Sequence, residues 1–144
     1  MPTALKKRQG CTVVEMDLKD VVEMVEGRLA GGRLEGCIGG VSTDTRSLQR
    51  GELFVALKGE RFDGHDFLAR AAEAGAAGVI ISDRGKVPKD FAADVAVVEV
   101  DDTLQGLGRL AAGYRRRIDG KVIAITGSCG KTALKEMLGQ VLCR

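Results

Sequence analysis

Residues Leu53 to Ile81 read LFVALKGERFDGHDFLARAAEAGAAGVII, and the two apolar runs at the ends of this stretch decide the fold class. Leu53-Phe54-Val55-Ala56-Leu57 stops at Gly59 and reads as a buried strand, and Val79-Ile80-Ile81 reads as a second. Between them, His65 to Ala77 is alanine-rich with Phe67, Leu68, Ala71 and Ala74 on one side, which predicts a helix ended near Gly75 to Gly78. Strands alternating with helices indicate α/β architecture.

The pattern continues outward in both directions. Upstream, Leu18, Val21, Val22, Val25 and Leu29 recur at helical spacing, with Asp17 placed to cap the start and Gly31-Gly32 to end the helix. Gly36 to Arg46 is rich in Gly, Ser, Thr and Asp around Ile38 and Val41, so a short strand should feed a polar loop. Downstream, Ser82 to Asp94 contains Gly85, Pro88 and the basic residues Arg84, Lys86 and Lys89, the composition of a linker. The expected division is therefore residues 1–84 as one small α/β domain and residues 85–144 as the opening of a second, truncated one. In that second unit Val95 to Val100 should be a strand. Thr103 to Ile118 should be a helix with Leu104, Leu107, Leu110, Ala111 and Tyr114 inward. Val122 to Thr126 should be another strand, and a further helix should open at about Lys131.

Composition narrows the function classes. With 22 basic and 20 acidic residues the net charge is +2, so neither nucleic acid nor an anionic membrane is expected as a partner. Cys11, Cys37, Cys129 and Cys143 fall at no metal-ligand spacing and read as reduced thiols. Lys6, Lys7 and Arg8 could open an export signal, but Glu15 and Asp17 break the apolar stretch that should follow. No apolar run approaches the roughly 18 residues of a spanning helix, so a cytoplasmic location is expected, without membrane insertion.

The sharpest chemical signal is Val122-Ile123-Ala124-Ile125-Thr126-Gly127-Ser128-Cys129-Gly130-Lys131-Thr132, an apolar run entering a Gly-rich turn and then Lys-Thr. Gly127 and Gly130 can take backbone angles closed to other residues, so that successive N–H groups point into one anion-binding nest at a helix start. Thr126 to Thr132 would then cradle the phosphates of ATP, with Lys131 against the β- and γ-phosphates and the Thr132 hydroxyl on Mg²⁺. Ile125 stands where the commonest form of this loop has its first glycine. A Gly-rich turn with a solvated lysine is the plainer alternative.

A second cluster, Ser42-Thr43-Asp44-Thr45-Arg46, places hydroxyls, a carboxylate and a guanidinium on one loop. Short donors and acceptors suit a uridine edge, and the fork of Arg46 suits an anion. An Asx or Ser/Thr turn with Asp44 and Arg46 paired fits the same residues equally well. His65 is the chain's one histidine, and a helix-start or substrate-lining role suits it better than catalysis, with Asp63 as a turn residue.

Thr-Gly-Ser-Cys-Gly-Lys-Thr at 126–132, followed by Lys135-Glu136-Met137, resembles the variant phosphate loop of the Mur ligase family. Ser-Thr-Asp-Thr-Arg at 42–46, the stretch from Gly51 to Phe67 and Ala-Gly-Ala-Ala-Gly-Val-Ile at 74–80 follow one another as in that family's N-terminal domain. Within it, the chain is most similar to members that add D-alanyl-D-alanine.

The resemblance implies an ATP-dependent amide ligase of peptidoglycan precursor synthesis, joining D-alanyl-D-alanine to UDP-N-acetylmuramoyl-tripeptide through an acyl phosphate. Lys131 would be its catalytic residue in this segment, with ATP and Mg²⁺ as cofactors, and Thr45 would meet the uracil, with Ser42, Thr43, Asp44 and Arg46 around it. The family's remaining central and C-terminal domains would have to come in cis or from a partner chain, and the isolated chain is expected to be inactive. The ligase adding the third peptide residue, or a UDP-sugar-peptide or partner-binding module with a vestigial loop, are the alternative readings.

Overall fold

The computed structural model describes residues 5–8 and 11–142, with side chains from Glu15 onward. Cys143 and the side chain of Cys11 lie outside the described residues; Cys37 and Cys129 are free and exposed. In chain order the elements are β1 (Leu5–Arg8), β2 (Cys11–Val14), β3 (Met16–Asp17), α1 (Leu18–Val25), β4 (Arg28–Gly31), β5 (Cys37–Ile38), β6 (Val41–Ser42) and β7 (Leu53–Val55). They continue with a 3-10 turn (Gly64–Phe67), α2 (Leu68–Glu73), β8 (Gly78–Ile81), a second 3-10 turn (Arg84–Lys86), β9 (Ala96–Glu99), α3 (Thr103–Arg117) and α4 (Lys131–Leu142).

The central sheet has the order β4-β9-β8-β7-β6, in which β6 to β9 run parallel and β4 closes one edge antiparallel to β9. Two small antiparallel pairs, β1 with β2 and β3 with β5, stand outside it. Successive strand residues feed opposite faces, as the period of two requires. Leu53, Val55, Ile80, Ala96 and Val98 join Leu18, Val21, Val25 and Leu110 on the face covered by α1 and α3. Phe54, Val79, Ile81, Val95 and Val97 join Leu68 and Ala71 of α2 on the other. The result is a helix-sheet-helix sandwich, in which α3 approaches α1 so closely that a Cβ on Gly113 would lie 2.6 Å from Met24 Cγ.

Three expectations are corrected. First, α1 is capped by Asp17 as read, its carboxylate accepting from the Lys19 N–H at 3.0 Å, but it ends at Val25 rather than near Leu29. Glu26 takes the left-handed conformation (φ 53°) and its N–H closes back on Glu23 and Val22. Gly27 then lets the chain pass within contact of Val98, so that Leu29 sits in a strand, β4, instead of a helix.

Second, the expected division at residues 84/85 falls inside the sheet. β9 pairs with β8 in register from Gly78↔Ala96 to Ile81↔Glu99, and α3 packs on the same core as α1. Ser82 to Asp94 has the composition of a linker because it is the solvent-facing crossover between two neighbouring strands. Along α3 the inward stripe is Thr103, Gly106, Leu110 and Gly113, with Leu104 67% exposed, since the helix turns its small residues toward α1 and Val100.

Third, Val122 to Thr126 forms no strand, and Val122 and Ile123 are 67% and 59% exposed. A strand needs a neighbour to take its N–H and C=O groups, and none of the described residues lies alongside. α4 does open at Lys131, but no residue of it is buried.

Candidate functional site

The carboxyl ends of parallel strands are where α/β sheets receive ligands, because the loops leaving them diverge around a crevice. Here the loop after β6 and the turn after β7 frame a cleft of about 460 Å³ lined by Thr43, Asp44, Thr45, Arg46, Phe54, Phe62, Phe67 and Arg70. That volume lies in the ordinary range for a small-molecule site.

The first wall is built by Asp44. Its carboxylate accepts from the Arg46 backbone N–H at 2.9 Å and from Arg46 Nε and Nη2 at 3.0 and 2.6 Å. Its carbonyl oxygen accepts from the Ser47 and Leu48 N–H groups and from the hydroxyls of Ser42 and Ser47. The side-chain hydrogen bond from Arg46, reinforced by the backbone one, holds the Asp44 carboxyl down at about 2. Ser42 is thereby used inside the turn and does not line the cleft, unlike Thr43, Asp44, Thr45 and Arg46. The Asx turn with a paired Arg46, left open by the sequence, is the local geometry, and the planar fork of Arg46 is engaged by Asp44.

The second wall is aromatic. Phe62 and Phe67 stack with ring centroids 4.9 Å apart and planes 18° from parallel, while Phe54 comes up from the sheet, 1% exposed. The turn that carries them is pinned from below. His65 is buried, with Nδ1 2.6 Å from Asp63 Oδ1, and its Nε2 accepts the Ser82 N–H at 3.0 Å. An Nε2 that accepts carries no proton, so the imidazole is neutral and donates through Nδ1. Asp63 also caps the turn by accepting the His65 N–H, and Lys86 reaches both Asp63 and Asp66, at 3.0 and 2.9 Å. Gly64 is required here, since a Cβ would meet the Leu57 backbone at 2.8 Å. Asp63 thus caps the turn as read, and His65 is a buried tie between two strand ends.

The backbone N–H of His65, followed by the Lys86 ammonium, pulls the Asp63 carboxyl well below the ordinary carboxylate value. A carboxyl depressed in the folded state stabilises the protein above its unfolded pKa, about 3.9, and loses that contribution as pH falls through the folded value. Asp63→Asn should therefore cost about 1–3 kcal/mol at pH 7 and flatten the fall in stability between neutral pH and pH of about 3. Urea midpoints of both proteins at the two pH values check this.

Sequence reading missed Phe54, Phe62, Phe67 and Arg70. A signal was available for the rings: the chain has four Phe, and three of them fall between residues 54 and 67.

The phosphate loop stands apart from this cleft in sequence. Gly127 and Gly130 have φ of 151° and 76°, both in the region that favours glycine. Thr126, Ser128, Cys129, Lys131 and Thr132 are exposed, and Lys131 Nζ donates to the carbonyl oxygen of Gly127, folding back over the loop. The Leu134 N–H reaches the Gly130 carbonyl at 3.0 Å, so the helix is wound from its first turn. This backbone fits a polyphosphate: left-handed glycines, a helix start whose first N–H groups have no helical acceptor, and a lysine within reach. Among the described residues no three His, Cys, Asp or Glu gather to hold a metal ion, so Thr132 is the ligand this loop could offer beside phosphate oxygens.

Another hollow, about 310 Å³, lies between Met16, Ile38 and Val41 and the α3 side chains Leu107 and Leu110. It offers no charge to a phosphorylated ligand. No helix among the described residues is long and apolar enough to cross a membrane.

Fold, cleft and loop define an α/β protein with a ligand crevice at its strand ends and an anion-type loop at a helix start. The chain belongs to the Mur ligase family: the family model "Mur ligase family, catalytic domain" matches residues 37–115, from β5 to the last turn of α3. It is 44% identical to "UDP-N-acetylmuramoyl-tripeptide--D-alanyl-D-alanine ligase" of Bacillus subtilis over 90% of its own length and 28% of the relative's. It is 34% identical to "UDP-N-acetylmuramoyl-L-alanyl-D-glutamate--2,6-diaminopimelate ligase" of Geobacter metallireducens over 90% of this chain and 25% of that one. Among solved structures it superposes on MurF from Acinetobacter baumannii with a TM-score of 0.78 at 36% identity, covering 92% of this chain and 28% of the other. MurF from Thermotoga maritima, solved in complex with ADP, matches with a TM-score of 0.58 at 34% identity, covering 71% and 22%. The chain thus spans about a quarter of the length of the relatives it resembles.

Proposed function

We propose that this chain carries the UDP-binding cleft and the phosphate loop of a cytoplasmic ligase that joins D-alanyl-D-alanine to UDP-N-acetylmuramoyl-tripeptide at the expense of ATP. The observation that carries the reading is the cleft itself. A stacked pair of rings, threonine hydroxyls and two guanidiniums converge at the carboxyl ends of the strands, in a chain similar to ligases of that name. An aromatic face suits a pyrimidine ring, at about 1–3 kcal/mol per stacked base. The hydroxyl of Thr45 can donate to and accept from the base edge, and cationic groups suit the diphosphate.

The phosphate loop supplies the second half of the reading. Lys131 and the N–H groups at the start of α4 would hold the β- and γ-phosphates, and Thr132 would take a place on Mg²⁺. When bound there, ATP and Mg²⁺ supply a phosphoryl group that activates the tripeptide's terminal carboxylate as an acyl phosphate, open to attack by the dipeptide amine. The chain's own residues hold that charge in place: the glycines keep the nest open and Lys131 neutralises it.

The nucleotide domain begins, on this reading, at Ile118 to Lys121 rather than at residue 85. The central sheet and its helices close at α3, and beyond it Ile118, Val122, Ile123, Leu134, Met137 and Val141 are all exposed. These side chains would be covered by further strands and helices of the nucleotide domain, supplied in cis or by a partner chain, and without them the chain would not catalyse.

Titration with UDP tests the reading. The chain should bind UDP, and Thr45→Val should weaken binding about 3- to 10-fold, the worth of one net hydrogen bond. A chain that binds no UDP would remove the cleft assignment.

A further inference from the structure

We propose that Arg70 is the anion anchor of the cleft, selecting a nucleoside diphosphate over the bare nucleoside, while Arg46 braces the loop on which it sits. The proposal rests on the reading of the cleft as the seat of a uridine nucleotide.

Charge in the cleft decides between the two guanidiniums. Arg46 and Asp44 are joined through three side-chain hydrogen bonds of 3.0, 3.0 and 2.6 Å, so the pair presents almost no net charge to an incoming anion. An anion approaching Arg46 would compete with a carboxylate already seated on its fork, and would face that carboxylate's repulsion as well. Arg46 therefore shapes the loop, together with its backbone N–H on the same carboxylate at 2.9 Å.

Arg70 is placed differently. It lines the same cleft from α2, and its guanidinium has no hydrogen bond or ion pair within the described residues. Its charge reaches across to Asp44 and contributes, after Arg46, to holding that carboxyl low. Its helix is fixed beneath it by Leu68 and Ala71, which are 1% and 0% exposed, so the backbone that presents the guanidinium is held rigid. Of the cleft's three charged groups, Arg70 is the one left uncompensated, and it makes the cleft net positive. A guanidinium free to offer paired N–H donors is the group that recognises a phosphate or diphosphate. The phenyl faces and threonine hydroxyls beside it carry no charge and serve the neutral part of a ligand.

Calorimetric titrations of UDP and of uridine against the wild-type chain, Arg70→Ala and Arg70→Lys test the assignment. The wild type should prefer UDP. Arg70→Ala should lose about 10- to 100-fold in UDP affinity, as expected for a charged hydrogen bond, keep its uridine affinity and unfold at the wild-type temperature. Arg70→Lys should recover part of the loss, with a steeper dependence on salt than uridine binding shows. Wild-type UDP affinity in Arg70→Ala would overturn the proposal alone, as would equal affinity of the wild type for UDP and uridine. Failure of the wild type to bind either ligand would remove the cleft reading, and the anchor with it.

Discussion

Lys131→Ala should lower ATP-dependent turnover of the complete ligase by about 100- to 1,000-fold, the usual loss when one preorganised charge donor is removed from a developing anion. UDP binding by the cleft should be unchanged, because the loop and the cleft are built from different segments. In the structure Lys131 Nζ rests on the Gly127 carbonyl, a contact that a bound phosphate would replace with a stronger, charge-assisted one. The lysine is thus already within reach of the nest and needs only a side-chain rotation to serve it. A steady-state assay of ADP release, run beside a UDP titration of the same variant, separates the two effects. Loss of both activities together would mean that the substitution has disturbed the fold.

Truncation carries the other large effect. A chain ended at residue 84 should not fold, whereas one ended at Lys121 should keep the circular dichroism and thermal transition of the whole chain. β9 lies between β4 and β8, so its removal leaves β4 without a partner and opens the edge of β8. It also strips Val95, Val97, Val98, Val100 and Leu110, all 5% exposed or less, from the two cores. Each such side chain contributes about 1.5–3 kcal/mol, so together they rival the roughly 5–15 kcal/mol of net stability of a whole domain. The described residues beyond Lys121 add no buried side chain, and their removal should cost the sheet nothing. A folded 1–84 fragment would restore the boundary that the sequence suggested.

Much of the fold was legible because buried strands and capped helices leave strong local marks. Leu53-Phe54-Val55 and Val79-Ile80-Ile81 could hardly be anything but interior strands, and Asp17 announced the start of α1. What escaped was set by partners distant in the chain. β4 carries only Arg28, Leu29, Ala30 and Gly31, a poor strand by composition, and it exists because β9 offers it an edge. Val122 to Thr126 is the converse, a good strand by composition that has no neighbour among the described residues. The crossover from Ser82 to Asp94 looked like a linker because solvent-facing loops and linkers draw on the same residues.

The site was legible in part. Of the cluster read from Ser42 to Arg46, Thr43, Asp44, Thr45 and Arg46 line the cleft, and the Asp44 pairing was one of two possibilities the sequence left open. Sequence alone left open whether Asp44 engages the Arg46 guanidinium, and in the structure it does. Arg70 escaped because an arginine on an alanine-rich helix is indistinguishable from a solvated one until the helix is placed beside the loop.

The most direct measurement supplies this chain with the nucleotide and C-terminal domains that the proposed function calls for, in cis or from a partner chain, and follows ADP release with defined peptide substrates. Turnover with UDP-N-acetylmuramoyl-tripeptide and D-alanyl-D-alanine, yielding the UDP-muramoyl pentapeptide, is the expected result. Turnover instead with UDP-N-acetylmuramoyl-L-alanyl-D-glutamate and a diamino acid would place the protein with the ligases that add the third residue, and no turnover with either pair would contradict the ligase reading itself.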